Sequence, residues 1–234
     1  NITGLQAGRT YYARAYATNA AGTAYSSQKT VKVLSTTLSN PTGIENGHGY
    51  VDLGLSVKWA TCNIGATQPE HYGDYYAWGA TQTKDTDNWT TYQWCNSADT
   101  RLTKSCASSK YGTVDYLTTL ERTDDAAALW GENWHMPTEE EWEELRTQCT
   151  WHWITINNVS GYKIIGKNGN SIFLPAAGYR INNKVQGLNS QGSYWFNILY
   201  TDLPRYAQDI SFEFKSTNSP SVVVGYNGRY CGLP

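Results

Sequence analysis

The sequence has little of what marks membrane-embedded or nucleic-acid-binding proteins. No apolar run reaches the length of a membrane-spanning helix, so we expect a soluble chain with no direct membrane insertion. The 18 Lys and Arg residues are balanced by 20 Asp and Glu residues, a formal net charge of −2. Because this balance leaves no basic stripe to bind phosphates, we expect no nucleic-acid partner.

Residues that carry metal or nucleophilic chemistry are few and scattered. The five cysteines contain no CxxC pair, and the four histidines contain no HExxH spacing. Cys95 and Cys106 lie closest in sequence and could bridge one loop; buried free thiols are the alternative. The sequence therefore predicts no enzyme, no metal centre and no cofactor. One exception stays open: Asp74, Asp124 and Asp125 could hold a structural calcium, or an Asp of this set could cap a helix.

What the chain has in excess is aromatic residues with a polar atom. Ten Trp and 18 Tyr stand against four Phe and one Met. Such rings suit half-wet positions, and they serve binding surfaces and small cores equally well.

The first residues have the pattern of a separate β unit. Tyr12, Arg14 and Tyr16 alternate with alanines, which is the period of a strand. We predict a two-stranded fragment over residues 1–37 and a Gly- and Pro-containing linker over 38–48. Because an isolated two-stranded ribbon is marginal in water, strand pairing with a neighbouring chain is one way to complete it.

The main domain, residues 49–234, opens with β structure and long loops. Apolar residues alternate from Val51 to Trp59, which predicts a strand or a tight hairpin with a bend at Gly54. Residues 81–119 are polar and weakly periodic, so we predict loops there. A short helix is predicted over 124–129.

One longer helix has clear local signals. Thr138 and Glu141 form a capping box, and Trp142, Leu145 and Cys149 recur at helical spacing. The intervening glutamates are interpreted as a solvated face.

The C-terminal part is predicted to be β. Strands at 162–165 and 171–174 flank the hairpin signal Lys167-Asn168-Gly169. Further on, Ile210, Phe212 and Phe214 are predicted to point inward, whereas Asp209, Ser211 and Glu213 are predicted to be displayed. Residues 221–224 are predicted to be a further short strand.

Five ordered motifs carry a resemblance to a known family. They are YVDLGLSVKWATCNIGA, YGDYYAWG, DDAAALWGENWHMPTEEEWEEL, NGNSIFLPAAGYR and GSYW. They resemble the major paralogous (FISUMP-type) domain of gut-bacterial surface proteins. That family is related to retroelement-diversified variable proteins and to the formylglycine-generating-enzyme superfamily.

The resemblance implies an α+β, C-type-lectin-like fold with antiparallel sheets, one or two helices and long loops. The N-terminal fragment is similar to the end of a fibronectin type III or immunoglobulin-like module, with Tyr11 or Tyr12 as a tyrosine corner. The family's scaffold positions match Trp59, Asn63, Gly65, Gly73, Trp78, Gly79, Trp134, Pro137, Trp142, Pro175, Gly178 and Trp195, which implies structural roles for these residues.

The implied function is recognition on the outer surface of a bacterium or in its surroundings. The ligand-facing segment would be residues 193–231, which bind an unknown protein or glycan. The predicted ligand-binding residues are Phe196, Asn197, Tyr200, Arg205, Tyr206, Asp209, Ser211, Tyr226, Asn227, Arg229 and Tyr230. Phe196-Asn197-Ile198 departs from the family, whose members usually carry a serine-rich stretch there.

Three alternatives stay open at this point. The chain could be a structural tip or stalk subunit of a surface fibre. A calcium-dependent lectin would need EPN, QPD or WND motifs, none of which occurs in the sequence. A formylglycine-type enzyme would need copper-binding cysteines, which have no recognisable counterpart.

Overall fold

A computed structural model describes residues 4–6, 8–213 and 221–234. The chain divides into two compact units, Asn1–Leu38 and Ser39–Pro234. The described strands are β1 (Thr10–Ala13), β2 (Tyr16–Asn19), β3 (Gly22–Tyr25), β4 (Lys29–Lys32), β5 (Gly43–Glu45), β6 (His48–Val51), β7 (Trp59–Ala60), β8 (Thr150–Ile156), β9 (Val159–Ile165), β10 (Ser171–Pro175), β11 (Tyr179–Ile181), β12 (Lys184–Gln186), β13 (Gln191–Leu199), β14 (Tyr206–Glu213) and β15 (Ser221–Gly228). One α-helix, α1, covers Glu139–Gln148, and short 3₁₀ helices cover Arg122–Asp124 and Ala127–Trp130.

The first unit contains two strand pairs rather than the predicted single pair. β1 pairs with β4, and β2 pairs with β3, both antiparallel. The ladder breaks between β1 and β2 because the N–H of Ala15 donates to the Ser26 side-chain oxygen at 3.0 Å instead of to a strand. The Tyr11 hydroxyl accepts a hydrogen bond from the N–H of Gln6 at 2.8 Å, which is the contact of a tyrosine corner.

The segment predicted as a linker, 38–48, contains structure of the second unit. β5 pairs with β6, and β6 pairs with β7, so a three-stranded sheet starts inside that segment. The predicted bend at Gly54 is confirmed: its φ of 75° lies in the loop that joins β6 to β7. Val51 and Trp59 are buried on either side of this loop.

The predicted helix and the predicted hairpin are both confirmed. Thr138 and Glu141 form a full capping box at the start of α1, and Trp142 and Leu145 are its buried residues. The hairpin strands are β9 and β10, and β8 extends them to a sheet of order β10-β9-β8.

The sheet β13-β14-β15 has apolar cores on both faces. On one face, Tyr194, Phe196, Ile210 and Phe212 join the main core with Trp142 of α1. On the other, Trp195, Leu199 and Ala207 join a second core with Trp78 and Leu233. Ile210 and Phe212 therefore point inward as predicted, and Phe214 lies outside the described residues.

Buried tryptophans fix β13 through its backbone. The indole N–H of Trp78 donates to the carbonyl of Phe196 at 2.9 Å, and that of Trp142 donates to the carbonyl of Trp195 at 3.2 Å. The Trp195 indole in turn donates to the carbonyl of Tyr76 at 2.8 Å. Trp78, Trp142 and Trp195 are thus scaffold residues, because their indole N–H groups are used inside the protein.

Residues 81–119 form long loops, as predicted. They contain isolated bridges such as Leu102 with Gly112, and they pack around a third small core that contains Tyr92 and Cys106. The predicted short helix at 124–129 occurs as the two 3₁₀ helices. Antiparallel sheet makes up most of the regular structure, and one α-helix and the two 3₁₀ helices make up the rest, which agrees with an α+β or mainly-β class.

Candidate functional site

A surface cleft lies at the C-terminal end of β15. Its volume is about 270 Å³. The cleft, called here the recognition cleft, is lined by Trp89, Asp99, Tyr179, Ile181, Arg205, Tyr206, Tyr226, Asn227, Gly228, Tyr230 and Cys231. It brings together five of the eleven predicted ligand-binding residues, namely Arg205, Tyr206, Tyr226, Asn227 and Tyr230.

One wall of the recognition cleft is a stack of tyrosines. The ring of Tyr226 lies against that of Tyr200, with centroids 4.5 Å apart and planes 15° apart. Tyr206 meets Tyr226 edge to face at 5.4 Å. Tyr226 is 53% exposed although its neighbours hold its ring in place. A ring that is already ordered and still exposed loses little entropy when a ligand covers it.

The polar part of the recognition cleft is an ion pair between two loops, the one that joins β13 to β14 and the long loop that contains Asp99. Arg205 Nη1 donates to Asp99 Oδ2 at 2.7 Å, and both side chains are about one third exposed. The guanidinium also lies over the rings of Tyr206 and Tyr111, at 5.3 and 5.8 Å from their centroids. The paired charges leave this part of the cleft close to neutral while offering donors and acceptors to a ligand.

The other wall joins the C-terminal segment to the long loops. Trp89 packs on Tyr230 with ring centroids 5.0 Å apart. Burial raises the pKa of the Tyr230 hydroxyl to about 12, and burial also raises the pKa of the Cys231 thiol to about 12. Both groups are therefore neutral at physiological pH and act here as lining rather than as titrating groups.

Three of the ligand-binding predictions are wrong, because the residues concerned are buried in the structure. Phe196, Asp209 and Arg229 are each fully buried. Phe196 stacks on Trp142 in the main core, at 6.1 Å between centroids. The strand period identified which residues share a face, but the second core contains Ala207 at one end of the face that was predicted to be displayed, and Asp209 beside it is buried, whereas Glu213 at the other end is exposed.

Arg229 is held in a cage of protein acceptors. Its Nε donates to the Tyr92 hydroxyl at 2.9 Å, and its Nη atoms donate to the backbone carbonyls of Lys104, Ser105 and Pro204 at 2.9 to 3.1 Å. The cation also lies 4.9 Å from the Trp78 ring centroid. This side chain fixes the long loops to the end of β15, beneath the recognition cleft.

Asp209 is a buried carboxyl in the centre of the same sheet. Its Oδ2 accepts a hydrogen bond from the Ser211 hydroxyl, and its Oδ1 has no partner among the described residues. Burial raises the pKa of Asp209 to about 6, which the Ser211 hydrogen bond only partly offsets. β15 has Gly225 opposite this carboxyl, where an added Cβ would lie 3.1 Å from Oδ1.

The remaining predicted residues lie outside the recognition cleft. Asn197 and Ser211 are half-buried, and Tyr200 supports the cleft from behind Tyr226. The Asn197 backbone connects two loops, since its N–H donates to Pro137 and its carbonyl accepts from Leu120.

Six cleft residues are not among the predicted ligand-binding residues: Trp89, Asp99, Tyr179, Ile181, Gly228 and Cys231. Gly228 and Cys231 lie within the predicted ligand-facing segment 193–231, whereas the other four lie outside it. Trp89 and Asp99 belong to the long loops, and Tyr179 and Ile181 belong to β11. Trp89 carried a weak signal as one of three closely spaced aromatic residues, with Tyr92 and Trp94, in a polar stretch, whereas Asp99 carried none.

A second, mostly apolar cavity of about 160 Å³ lies elsewhere in the unit. Its lining includes Trp59, Cys62, His135, Glu141 and Trp142. The His135 Nε2 is 2.9 Å from Glu141 Oε1, and Glu141 also accepts from the N–H of Thr138. Burial raises the pKa of the Cys62 thiol. The carboxylate is therefore used by the helix cap, and the thiol stays protonated at neutral pH.

Two of the three aspartates considered for calcium are occupied in other ways. Asp124 pairs with Lys104 at 2.7 Å. Asp125 accepts from the backbone of Ala127 and Met136, both at 2.8 Å. Within residues 4–6, 8–213 and 221–234, no group of three or more His, Cys, Asp or Glu side chains is arranged to hold a metal ion.

Comparison with known proteins gives no match: no protein-family model, no curated protein and no solved structure is similar to this chain. In the part of the chain that the structure describes, no helix has the length and apolarity to cross a membrane.

Proposed function

We propose that the second unit is a recognition domain, secreted by a bacterium or displayed on its outer surface, which binds a protein or glycan in the recognition cleft. Its fold would be C-type-lectin-like, and its role would be adhesion or ligand capture without chemistry. The observation that carries this proposal is the exposed but fixed ring of Tyr226, stacked on Tyr200 beside the Arg205–Asp99 pair.

The composition of the cleft supports binding. Tyr, Trp and Arg are the residues that most often dominate binding free energy, and five of the eleven cleft residues are Tyr or Trp. The rings are supported by packing, so the cleft is formed before the ligand arrives. The sequence resemblance, in which the C-terminal segment faces the ligand, supports the same surface.

The proposal is tested by screening the protein against glycan and protein arrays, followed by titration of any ligand found. Tyr226→Ala is expected to weaken binding at least about tenfold, since it removes the exposed ring of a hot-spot cluster. Tyr206→Ala is expected to act in the same direction because Tyr206 supports that ring.

Tyr116→Ala is the matched control. Tyr116 is 76% exposed and does not line the recognition cleft. Circular dichroism would verify that each variant is folded. Binding that survives Tyr226→Ala, or that Tyr116→Ala weakens equally, would place the site elsewhere.

A further inference from the structure

Among the described residues, no strand pairs with the outer edge of β15, and β15 itself carries no charge or proline to protect it. In the described sheet the strand order is β13-β14-β15, so β15 is an edge strand that pairs with β14 alone. Its sequence, SVVVGYNG, contains no charge and no proline. Proteins usually protect exposed edges with lysine, proline, bulges or a covering segment, because an open edge is a template for another strand.

The register shows which backbone groups face this edge. The N–H of Arg229 donates to the carbonyl of Arg205, just beyond the pair of Tyr206 and Gly228. Because hydrogen-bonded and non-bonded pairs alternate in an antiparallel ladder, Val222, Val224 and Tyr226 direct their N–H and C=O groups away from β14. No hydrogen bond joins these groups to any other described residue.

The side chains at this edge are apolar and accessible. Val223, Val224 and Tyr226 are 53%, 50% and 53% exposed. An uncharged row of β-branched and aromatic residues has high strand propensity, and it presents nothing that would repel an identical strand.

We infer that β15 is a self-association edge, which pairs antiparallel with β15 of a second copy of this chain about a two-fold axis through Val224. Gly228 faces outward as well, but its carbonyl already accepts from the N–H of Cys231 at 2.8 Å. The other three outward residues, Val222, Val224 and Tyr226, are symmetric about Val224. In this register Val224 faces Val224 of the second copy, and Val222 faces its Tyr226, twice by symmetry. The outward N–H groups of Val222, Val224 and Tyr226 then each meet a carbonyl, and the ladder contains two aromatic–β-branched pairs.

This pairing does not require a ligand in the recognition cleft, although the two surfaces share Tyr226. It involves a single strand from each copy, so the interface is far smaller than that of an obligate dimer. The dimer is therefore expected to form as the concentration rises, rather than to be required for folding.

Cysteine crosslinking tests the register. Directly opposed residues of a hydrogen-bonded pair have Cα atoms about 5.5 Å apart, inside the range that a disulfide spans. Val224→Cys is therefore expected to give a covalent dimer on mild oxidation. Val223 has nearly the same exposure, but the two copies of residue 223 would lie on a diagonal about 7–8 Å apart, so Val223→Cys is expected to give no covalent dimer. The parent protein, with its five cysteines, shows how much covalent dimer forms without either substitution.

Light scattering across a dilution series tests the association itself. The parent and Val223→Lys are expected to dimerise at the highest concentrations, whereas Val224→Lys, which opposes two like charges on the axis, is expected to remain monomeric. A parent that is monomeric throughout overturns the proposal. Equal dimerisation of both lysine variants, or equal crosslinking of both cysteine variants, overturns it as well.

Discussion

Arg229 donates from Nε to the hydroxyl of Tyr92 at 2.9 Å, and neither side chain reaches solvent. The contact joins the end of β15 to a loop 137 positions earlier in the chain. Since the other donors of Arg229 are used by backbone carbonyls, this cation cannot be offered to a ligand. Its role is to hold the connection that carries Arg205 and the loop that carries Asp99 near each other.

Replacing Arg229 is expected to destabilise the protein strongly. Arg229→Met leaves the carbonyls of Lys104, Ser105 and Pro204 without their partner, and removing one side of a buried charged network costs about 3–5 kcal/mol. The free energy of unfolding in urea measures the effect. Arg205→Met is the control: its ion pair is about one third exposed, so its loss is expected to cost less than about 1 kcal/mol. Equal losses of unfolding free energy in the two variants would show that Arg229 does not stabilise the protein more than the exposed ion pair does.

The contribution of Asp209 to the free energy of unfolding is expected to fall as the pH rises. Its pKa is about 6 in the folded protein against an ordinary 3.8, so the folded state binds the proton more tightly. Stability from this group is complete below about pH 4 and is lost as the pH rises through about 6. Asp209→Asn is therefore expected to be more stable than the parent at neutral pH, by up to about 3 kcal/mol.

The measurement is the difference in unfolding free energy between parent and Asp209→Asn across this pH range. Taking the difference removes the contributions of other groups, such as Glu141, whose lowered pKa gives the opposite slope. A difference that does not change between pH 4 and pH 7 would contradict the assignment.

Local signals predicted local structure well. The capping box of Thr138 and Glu141 specified α1 because both partners lie within one turn. The hairpin of β9 and β10 was equally local, since the turn residues lie between its strands.

The candidate site was less predictable because its geometry is non-local. A period of two in β14 indicates that Asp209 and Ser211 share a face, but not that the second core lies at one end of this face and that Asp209 is buried there. Asp99 reaches the recognition cleft from a loop 106 positions before Arg205, and no pattern in the sequence links the two.

The five cysteines are expected to be free thiols. All five are unpaired in the structure, and the Sγ atoms of Cys95 and Cys106 donate to different carbonyls, those of Trp89 and Ser108. Reductant is therefore expected to leave the Tm unchanged. A thiol reagent should titrate five groups after denaturation and react slowly before it, since burial raises the pKa of Cys62, Cys95, Cys149 and Cys231. A Tm that falls with reductant would reveal a disulfide.

Sibling copies of this protein are expected to differ in the recognition cleft and not beneath it. If retroelement diversification acts on the C-terminal segment, AAC codons altered at their adenines can give Tyr, Asn, Asp, Arg, Val, Ser or Cys, but never Trp, Lys, Glu or Gln. Tyr206, Tyr226 and Asn227 meet both conditions, because their residue types are allowed and their side chains line the cleft. Arg229 and Asp209 have allowed types too, but they are fully buried, so most changes there would destabilise the fold.

Sequencing the copies in one population measures this pattern. Variation is expected at the cleft positions, with Arg229, Asp209 and Trp195 unchanged. Because Arg229 differs from Asn227 in burial and not in the codons available to it, the pair separates selection by structure from the chemistry of mutation. Equal variation at Arg229 and Asn227 would mean that the cage around Arg229 does not limit the sequence, and it would contradict the position of the recognition cleft as well.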